Sequence, residues 1–425
     1  MKESFFDPLK TLKPQLQAAL VFVVSFLLIC LRLGTLAVPP ILTCDEASIG
    51  LNAQGILTTG ADEWGQRLPL FFKAFGEYKS PVFIYSSLPL IKLLGLNLYA
   101  IRLTATIWGL LTIIFTSLFV WELTKNKTVA FISLIVASTL PWHFQVSHLG
   151  YEVTAFPAML TIALWLLAKS NRRGNSFFLL VAAGFILGLT AYTYPVARFL
   201  VPVYFLIGPS LLIEKPLKRL LFATTLVLMV TPLIAAIIQN PAIFFSRFNE
   251  ISIFLRPDPL LTLTKNYLSY FSPQFLFLKG SPDILFSTKQ AGALLLSFTL
   301  PLATGLLITA NLAIRKNYWA IFLVLGLLLS PIASALTFDN QPHLLRAAGS
   351  IPFIVVVTTF GVWYLLKKLP MAVSVALILV FLIEAGIYFY DFNFLYPQRV
   401  KMDQAAKQVE VTGFTKEDLK RFYRI

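Results

Sequence analysis

The segment Thr43-Cys44-Asp45-Glu46-Ala47-Ser48 sets two carboxylates side by side directly after the first long apolar run. An ionised carboxylate can take the proton of a hydroxyl, and such general-base chemistry needs only one well-placed acid. Further on, Glu77-Tyr78-Lys79-Ser80-Pro81 offers an acid, a phenol and an ammonium, and Arg102 stands at the start of the next apolar run. Cations of this kind hold the charge of a phosphate or carboxylate. A carboxylate, a lysine and an arginine thus collect at one interface between water and hydrocarbon, where charged groups tend to be paired or functional. Each also has a plainer reading. Thr43-x-x-Glu46 matches a capping box. Asp45 fits a cap as well, for a helix from Glu46 to Leu57 whose Ile49, Ala53, Ile56 and Leu57 would lie on the membrane. Taken alone, capping is the better account of the two acids. Lys79 can snorkel toward headgroups, and Arg102 can anchor a helix end.

Two later stretches carry further polar groups. Pro141-Trp142-His143-Phe144-Gln145-Val146-Ser147-His148-Leu149-Gly150-Tyr151-Glu152 ends one apolar run, and Gln341-Pro342-His343-Leu344-Leu345-Arg346 precedes another. His143, His148 and Glu152 fit no common zinc spacing. Trp142 and Tyr151 also suit an aromatic belt, and His343 reads as an interfacial polar residue. Cys30 and Cys44 lie at different depths, so neither a disulfide nor a zinc site is expected.

The elements that must carry these residues are membrane helices. Of 425 residues, 57% are hydrophobic and only 13% charged, against about 25% charged in a soluble domain; mean hydropathy is +0.76. Runs near the roughly 20 residues a crossing needs fall at 15–37, 100–121, 128–146, 153–168, 177–193, 197–213, 220–239, 291–312, 318–337, 347–366 and 370–390. Residues 81–95 are apolar but interrupted by Pro81 and Pro89, so they read as an interfacial or re-entrant helix. The first run lacks a cleavage site and reads as an uncleaved spanning helix.

The net charge of +15 follows topology rather than nucleic acid. Lys125, Lys127, Lys169, Arg172, Arg173, Lys215, Lys218, Arg219, Arg315, Lys316, Lys367 and Lys368 sit in alternate short loops, and Lys2, Lys10 and Lys13 precede the first run. Those segments hold only four acids, Glu3, Asp7, Glu122 and Glu214. Alternating basic loops put the N-terminus inside, and eleven crossings put the C-terminus outside. The expected fold is an all-α polytopic membrane protein with interfacial helices in the first outer loop. Residues 1–390 form the membrane domain, with outer loops 38–99 and 240–290, and 391–425 form a short outer tail. Thr415-x-x-Asp418 would cap a final helix. No cytoplasmic loop has room for a folded site, and there is no glycine-rich phosphate loop. This argues against chemistry on cytosolic nucleotides.

The order TCDEASIGLNAQGIL, FGEYKSPVFIY, AIRLTATIWGLL and LPWHFQVSHLGYEV resembles the GT-C superfamily of membrane glycosyltransferases, and most of all its protein O-mannosyltransferase and aminoarabinose-transferase branch. The likeness covers about the first 160 residues and runs more loosely to about residue 390. It implies transfer of a sugar from a polyprenyl-phosphate carrier to a lipid, glycan or protein acceptor on the outer side of a prokaryotic plasma membrane. By the resemblance, Asp45 matches the family's base, and Glu46 is its partner, positioning the acceptor or tuning Asp45. Lys79, with Glu77 and Tyr78 beside it, matches a lysine placed near the carrier phosphate; where relatives have Lys-Pro, this chain interposes Ser80. Arg346 is a candidate second phosphate contact and Arg102 a further substrate-binding cation. His148 stands where related sequences carry arginine, and Glu152 is a candidate lining residue. No cofactor is required, and a divalent metal is left open. Such a transfer needs one base and cations for the leaving phosphate, rather than the acid-plus-nucleophile pair of a retaining glycosidase.

Two other classes compete: a transporter or flippase of a lipid-linked glycan, and a non-catalytic scaffold. A transporter places ionisable groups near mid-membrane on broken helices. Here the acids gather at the outer interface, with Glu384 the exception.

Overall fold

The computed structural model describes residues 14–174, 176–407, 411 and 413–420. The basic flank Lys2, Lys10 and Lys13, with Glu3 and Asp7, lies outside them. The order is α1 (Pro14–Gly34), α2 (Cys44–Thr59), β1 (Phe72–Ala74), β2 (Glu77–Lys79), α3 (Pro81–Leu94), α4 (Leu98–Thr124), α5 (Lys127–Thr139), α6 (Pro141–His148), α7 (Ala155–Arg172), α8 (Phe177–Thr190), α9 (Pro195–Leu212), α10 (Pro216–Gln239), α11 (Ala242–Ile251) and α12 (Pro259–Ser269). Then come α13 (Thr299–Ile314), α14 (Tyr318–Leu329), α15 (Ile332–Ala335), α16 (Ile351–Lys368), α17 (Met371–Tyr390), α18 (Tyr396–Lys407) and α19 (Lys416–Leu419).

Among the described residues, eight helices are long and apolar enough to cross a membrane. The expected span at 128–146 is not straight. It is the pair α5 and α6, bent by 61° where Pro141 opens the second helix, and counting the pair makes nine. Proline bars the residue before it from helical geometry, so Leu140 is extended there. The expected spans at 15–37 and 177–193 are both helical, the first as α1 over Pro14–Gly34 and the second as α8 over Phe177–Thr190, which is shorter than a crossing. The last apolar helix, α17, ends at Tyr390, and a wide turn at Asp391–Leu395 carries the chain on into α18.

Helix ends follow local chemistry. Asn97 caps α4 by accepting from Ala100 N at 2.9 Å, and Asn317 caps α14. Prolines open α3, α9, α10 and α16, where the missing N–H costs nothing. Helices α13 and α16 pack so closely that a Cβ on Gly361 would lie 1.7 Å from the Pro301 carbonyl oxygen; small residues permit such contact between membrane helices.

The first outer loop departs from expectation in two ways. Its α2 does not lay its apolar face on the membrane. Ile49, Ala53 and Ile56 are buried with Phe83, Ile84, Ile91, Ala100, Ile101 and Ala105 of α3 and α4. The loop also contains the antiparallel hairpin β1–β2, in register Phe72↔Lys79, Lys73↔Tyr78 and Ala74↔Glu77. Helix α3 is, as expected, too short to span; Pro81 opens it and Pro89 lies inside it. Glu384, inside α17, caps a neighbouring helical start: its carboxylate accepts from Leu296 N and from Ser297 N, the latter at 2.7 Å. Its carboxylate is thereby partnered within the fold.

Candidate active site

Connections distant in sequence meet at one cavity of about 320 Å³. Asp45 comes from the first turn of α2, Glu77, Tyr78 and Lys79 from β2, and Glu152 from the turn before α7. Tyr194 comes from the turn before α9, Arg247 from α11, and Asp339, His343 and Arg346 from the turn before α16.

Asp45 and Lys79 form an ion pair, the lysine side chain 5% exposed and the aspartate 41%. Asp45 owes its place to a capping box, in which Thr43 Oγ1 accepts from Glu46 N and Glu46 accepts from Thr43 N. Lys79 is placed by the hairpin, and its ammonium lies 5.2 Å from the centre of the Phe75 ring. Burial alone would lower the lysine pKa, but the carboxylates of Asp45, Glu152 and Glu77 reverse this and raise it. A raised lysine stays cationic through neutral pH, so its stabilising contribution is present below the ordinary lysine value and fades only as pH rises through the elevated one.

The interposed Ser80 has a physical reason. Its backbone N–H donates to the Glu152 carboxylate, and its hydroxyl accepts from Arg198 Nη2 at 2.9 Å. Arg198 also donates to the Ile243 carbonyl at 2.6 Å. A proline at this position would remove the N–H that Glu152 accepts from.

On the opposite wall, Arg346 donates to Asp339 Oδ2 at 3.0 Å, to the Asp339 carbonyl at 2.9 Å and to Thr337 Oγ1 at 3.1 Å. Arg247, 40% exposed, lies 3.7 Å from Glu77, 3.6 Å from Asp339 and 3.2 Å from Glu250. His343 stacks obliquely on Phe286 at 5.1 Å. Burial, then Arg346 and Arg247, hold its imidazole neutral, far below the usual range. The arrangement therefore offers a half-exposed carboxylate, three cations and aromatic walls from Tyr78, Tyr151, Tyr194 and Phe286.

Three expected site residues do not reach the cavity. Glu46 and Arg102 are fully buried against each other. Arg102 donates from Nε to Glu46 Oε1 at 2.8 Å, from Nη2 to Glu46 Oε2 at 3.2 Å, and to the carbonyls of Leu36, Pro39 and Ile41. Glu46 also accepts from Gly150 N at 3.0 Å. With every donor of Arg102 engaged, the pair ties the start of α2 to α4 and to the chain after α6 and contacts no cavity space. His148 is buried between Phe144 and the edge of Phe392, 4.9 Å away. By contrast Asp45, Glu77, Tyr78, Lys79, Glu152 and Arg346 all line the cavity. Sequence reasoning overlooked Arg247, Asp339 and Tyr194. The only signal for Arg247 was its place in the outer loop 240–290; Asp339 stands seven residues before Arg346. Among the described residues no three His, Cys, Asp or Glu side chains are grouped to hold a metal.

No family model matches the chain, and no curated protein does. Sixteen solved chains match in structure. The aminoarabinose transferase ArnT from Cupriavidus metallidurans in the apo state has a TM-score of 0.55 at 14% identity, over 83% of this chain and 61% of that one. The same protein bound to undecaprenyl phosphate gives 0.52 at 12% identity, over 84% and 61%. The Archaeoglobus fulgidus oligosaccharyltransferase in complex with Zn and sulfate gives 0.54 at 15% identity, over 84% and 49%. The chain thus spans about three-fifths of the length of the ArnT structures. The chain shares the fold of these solved structures.

Proposed function

We propose that the protein transfers a sugar from a polyprenyl-phosphate carrier to an acceptor hydroxyl on the outer face of the membrane, inverting the anomeric carbon. One observation carries the reading: the Asp45–Lys79 pair and Arg346 line the same cavity, although their chain positions span most of the sequence. The bound undecaprenyl phosphate in the ArnT structure supports a lipid-phosphate donor for this fold.

The acceptor oxygen attacks the anomeric carbon as the bond from that carbon to the phosphate oxygen breaks. Asp45 takes the hydroxyl proton, and the released polyprenyl phosphate carries away the negative charge. A phosphate of this kind is a good leaving group, so departure needs cations rather than a general acid. Lys79, always charged, shifts from Asp45 toward the departing phosphate, which leaves the carboxylate free as base. Arg346, and with it Arg247, holds the other phosphate oxygens through planar guanidinium donors. Glu77, Tyr78 and Glu152 shape the wall beside Lys79, while Glu46 and Arg102 act on Asp45 only through the backbone they fix.

The test is transfer itself. Purified protein is incubated with radiolabelled polyprenyl-phosphate sugars and a prokaryotic membrane extract. We expect label to leave the carrier for an acceptor, and Asp45→Asn to slow this by about 10²–10⁴-fold, the usual scale of a lost general base. Label that crosses vesicles without leaving its carrier, or a folded Asp45→Asn protein with undiminished transfer, overturns the proposal.

A further inference from the structure

Asp45 and Lys79 belong to different pieces of chain, and both pieces are touched by one apolar cluster from the C-terminal segment. Val411 makes an isolated antiparallel bridge with Leu42, the residue before the Thr43 cap. Beyond it, Thr415 and Asp418 form the capping box of α19, whose Leu419 is fully buried. Val411, Leu419 and Ala47 of α2 make one buried cluster, against which Leu42, Cys44, Leu51, Phe75 and Phe414 pack. Phe75 is the tip of the hairpin, and its ring lies beneath the Lys79 ammonium. Phe414 seats on α2 at Gly50, where an added Cβ would fall 2.9 Å from its ring.

The start of α2, which carries Asp45, is tied to α4 through Glu46 and Arg102, whereas a hairpin with three-residue strands is marginal alone. Contacts at the hairpin tip therefore add to what holds Lys79 in register with Asp45, and a misplacement of about 1 Å in such a constellation costs roughly 10² in rate. We propose that the C-terminal segment around Val411, Phe414 and Leu419 is a clamp across α2 and the β1–β2 hairpin, with Phe414 and Leu419 as positioning residues for the Asp45–Lys79 pair. The inference rests on the reading of that pair given above.

The test uses the full-length protein in lipid vesicles, comparing wild type with Phe414→Ala, Leu419→Ala and Gly50→Ala, the last of which crowds the Phe414 ring together with the Leu96 and Ile101 side chains and leaves the segment's own sequence intact. Amide hydrogen exchange should rise at residues 44–52 and 72–79 and stay unchanged in α13 and α16. With a lipid-linked sugar as donor, kcat should fall by about ten-fold or more and KM should stay within about two-fold, the signature of lost transition-state geometry. Phe414→Tyr should restore both. Unchanged exchange at either segment, or a kcat that survives Phe414→Ala and Gly50→Ala, overturns the clamp. If the wild type transfers no sugar, the functional reading of the pair falls, and the exchange pattern alone still decides whether the clamp exists.

Discussion

Asp45 and Glu46 are neighbours with opposite fates: one side chain is 41% exposed toward the cavity and the other is sealed in the core. Successive residues on a helix point about 100° apart, so two adjacent acids at a helix start can face different surroundings. Which of them turns inward is decided by Arg102 and by the backbone N–H of Gly150. Both are far away in sequence, and adjacency of the acids does not reveal them. The capping box was legible because it is local; the buried pair was not, because it depends on packing between α2 and α4. Neutralising one member of such a pair leaves an uncompensated buried charge, which costs about 3–5 kcal/mol. We therefore expect Glu46→Gln to lower the thermal unfolding midpoint in detergent markedly and to reduce the folded yield. Asp45→Asn should unfold closer to the wild type, because Asp45 is partly exposed and its buried partner Lys79 keeps the carboxylates of Glu152 and Glu77. A Glu46→Gln protein as heat-stable as the wild type would contradict the structural role assigned here.

At the scale of elements, the hairpin decides where Lys79 points. Its two turn residues, Phe75 and Gly76, have φ of +56° and +80°, the left-handed pair that a two-residue turn of this hand requires. Glycine adopts this freely and phenylalanine does not; the Phe75 ring is held by the apolar cluster beneath the C-terminal segment. An all-α expectation passes over strands of three residues because they show no measurable alternation, although the Phe-Gly-Glu-Tyr-Lys string itself stood out. Gly76→Val should add about 1–2 kcal/mol of local strain at the turn and loosen the Phe72↔Lys79 register. The expected result is a clear drop in turnover with little change in the melting of the membrane helices, read by transfer assay and by circular dichroism of the same sample. Full activity in Gly76→Val would mean that the hairpin does not place the lysine.

The whole molecule has two polar ends. Connections expected on the outer side converge on the cavity, and those expected inside converge elsewhere: Glu122 pairs with Lys125 at 2.6 Å and with Arg172, and Lys218 donates to the Gly174 carbonyl at 2.6 Å. The alternation of basic loops is an expectation drawn from the charge pattern alone, since the positive-inside bias acts on short loops one at a time. The number of crossings was less legible, because the apolar stretch of α8 is short and the run at 128–146 bends into two helices. What distinguishes an outer-face enzyme from any other two-ended bundle is the side on which the cavity opens. In a background with Cys30→Ser and Cys44→Ser, we expect a membrane-impermeant maleimide to label Lys265→Cys, on exposed α12, in sealed cells. Lys316→Cys, in the opposite basic loop, should label only after permeabilisation. Both positions are exposed, so access to the reagent rather than burial within the fold sets the outcome. The reverse pattern would turn the cavity toward the cytosol, where Asp45 could not meet an acceptor outside the cell, and the proposed reaction would have to be abandoned whatever the geometry of the pair.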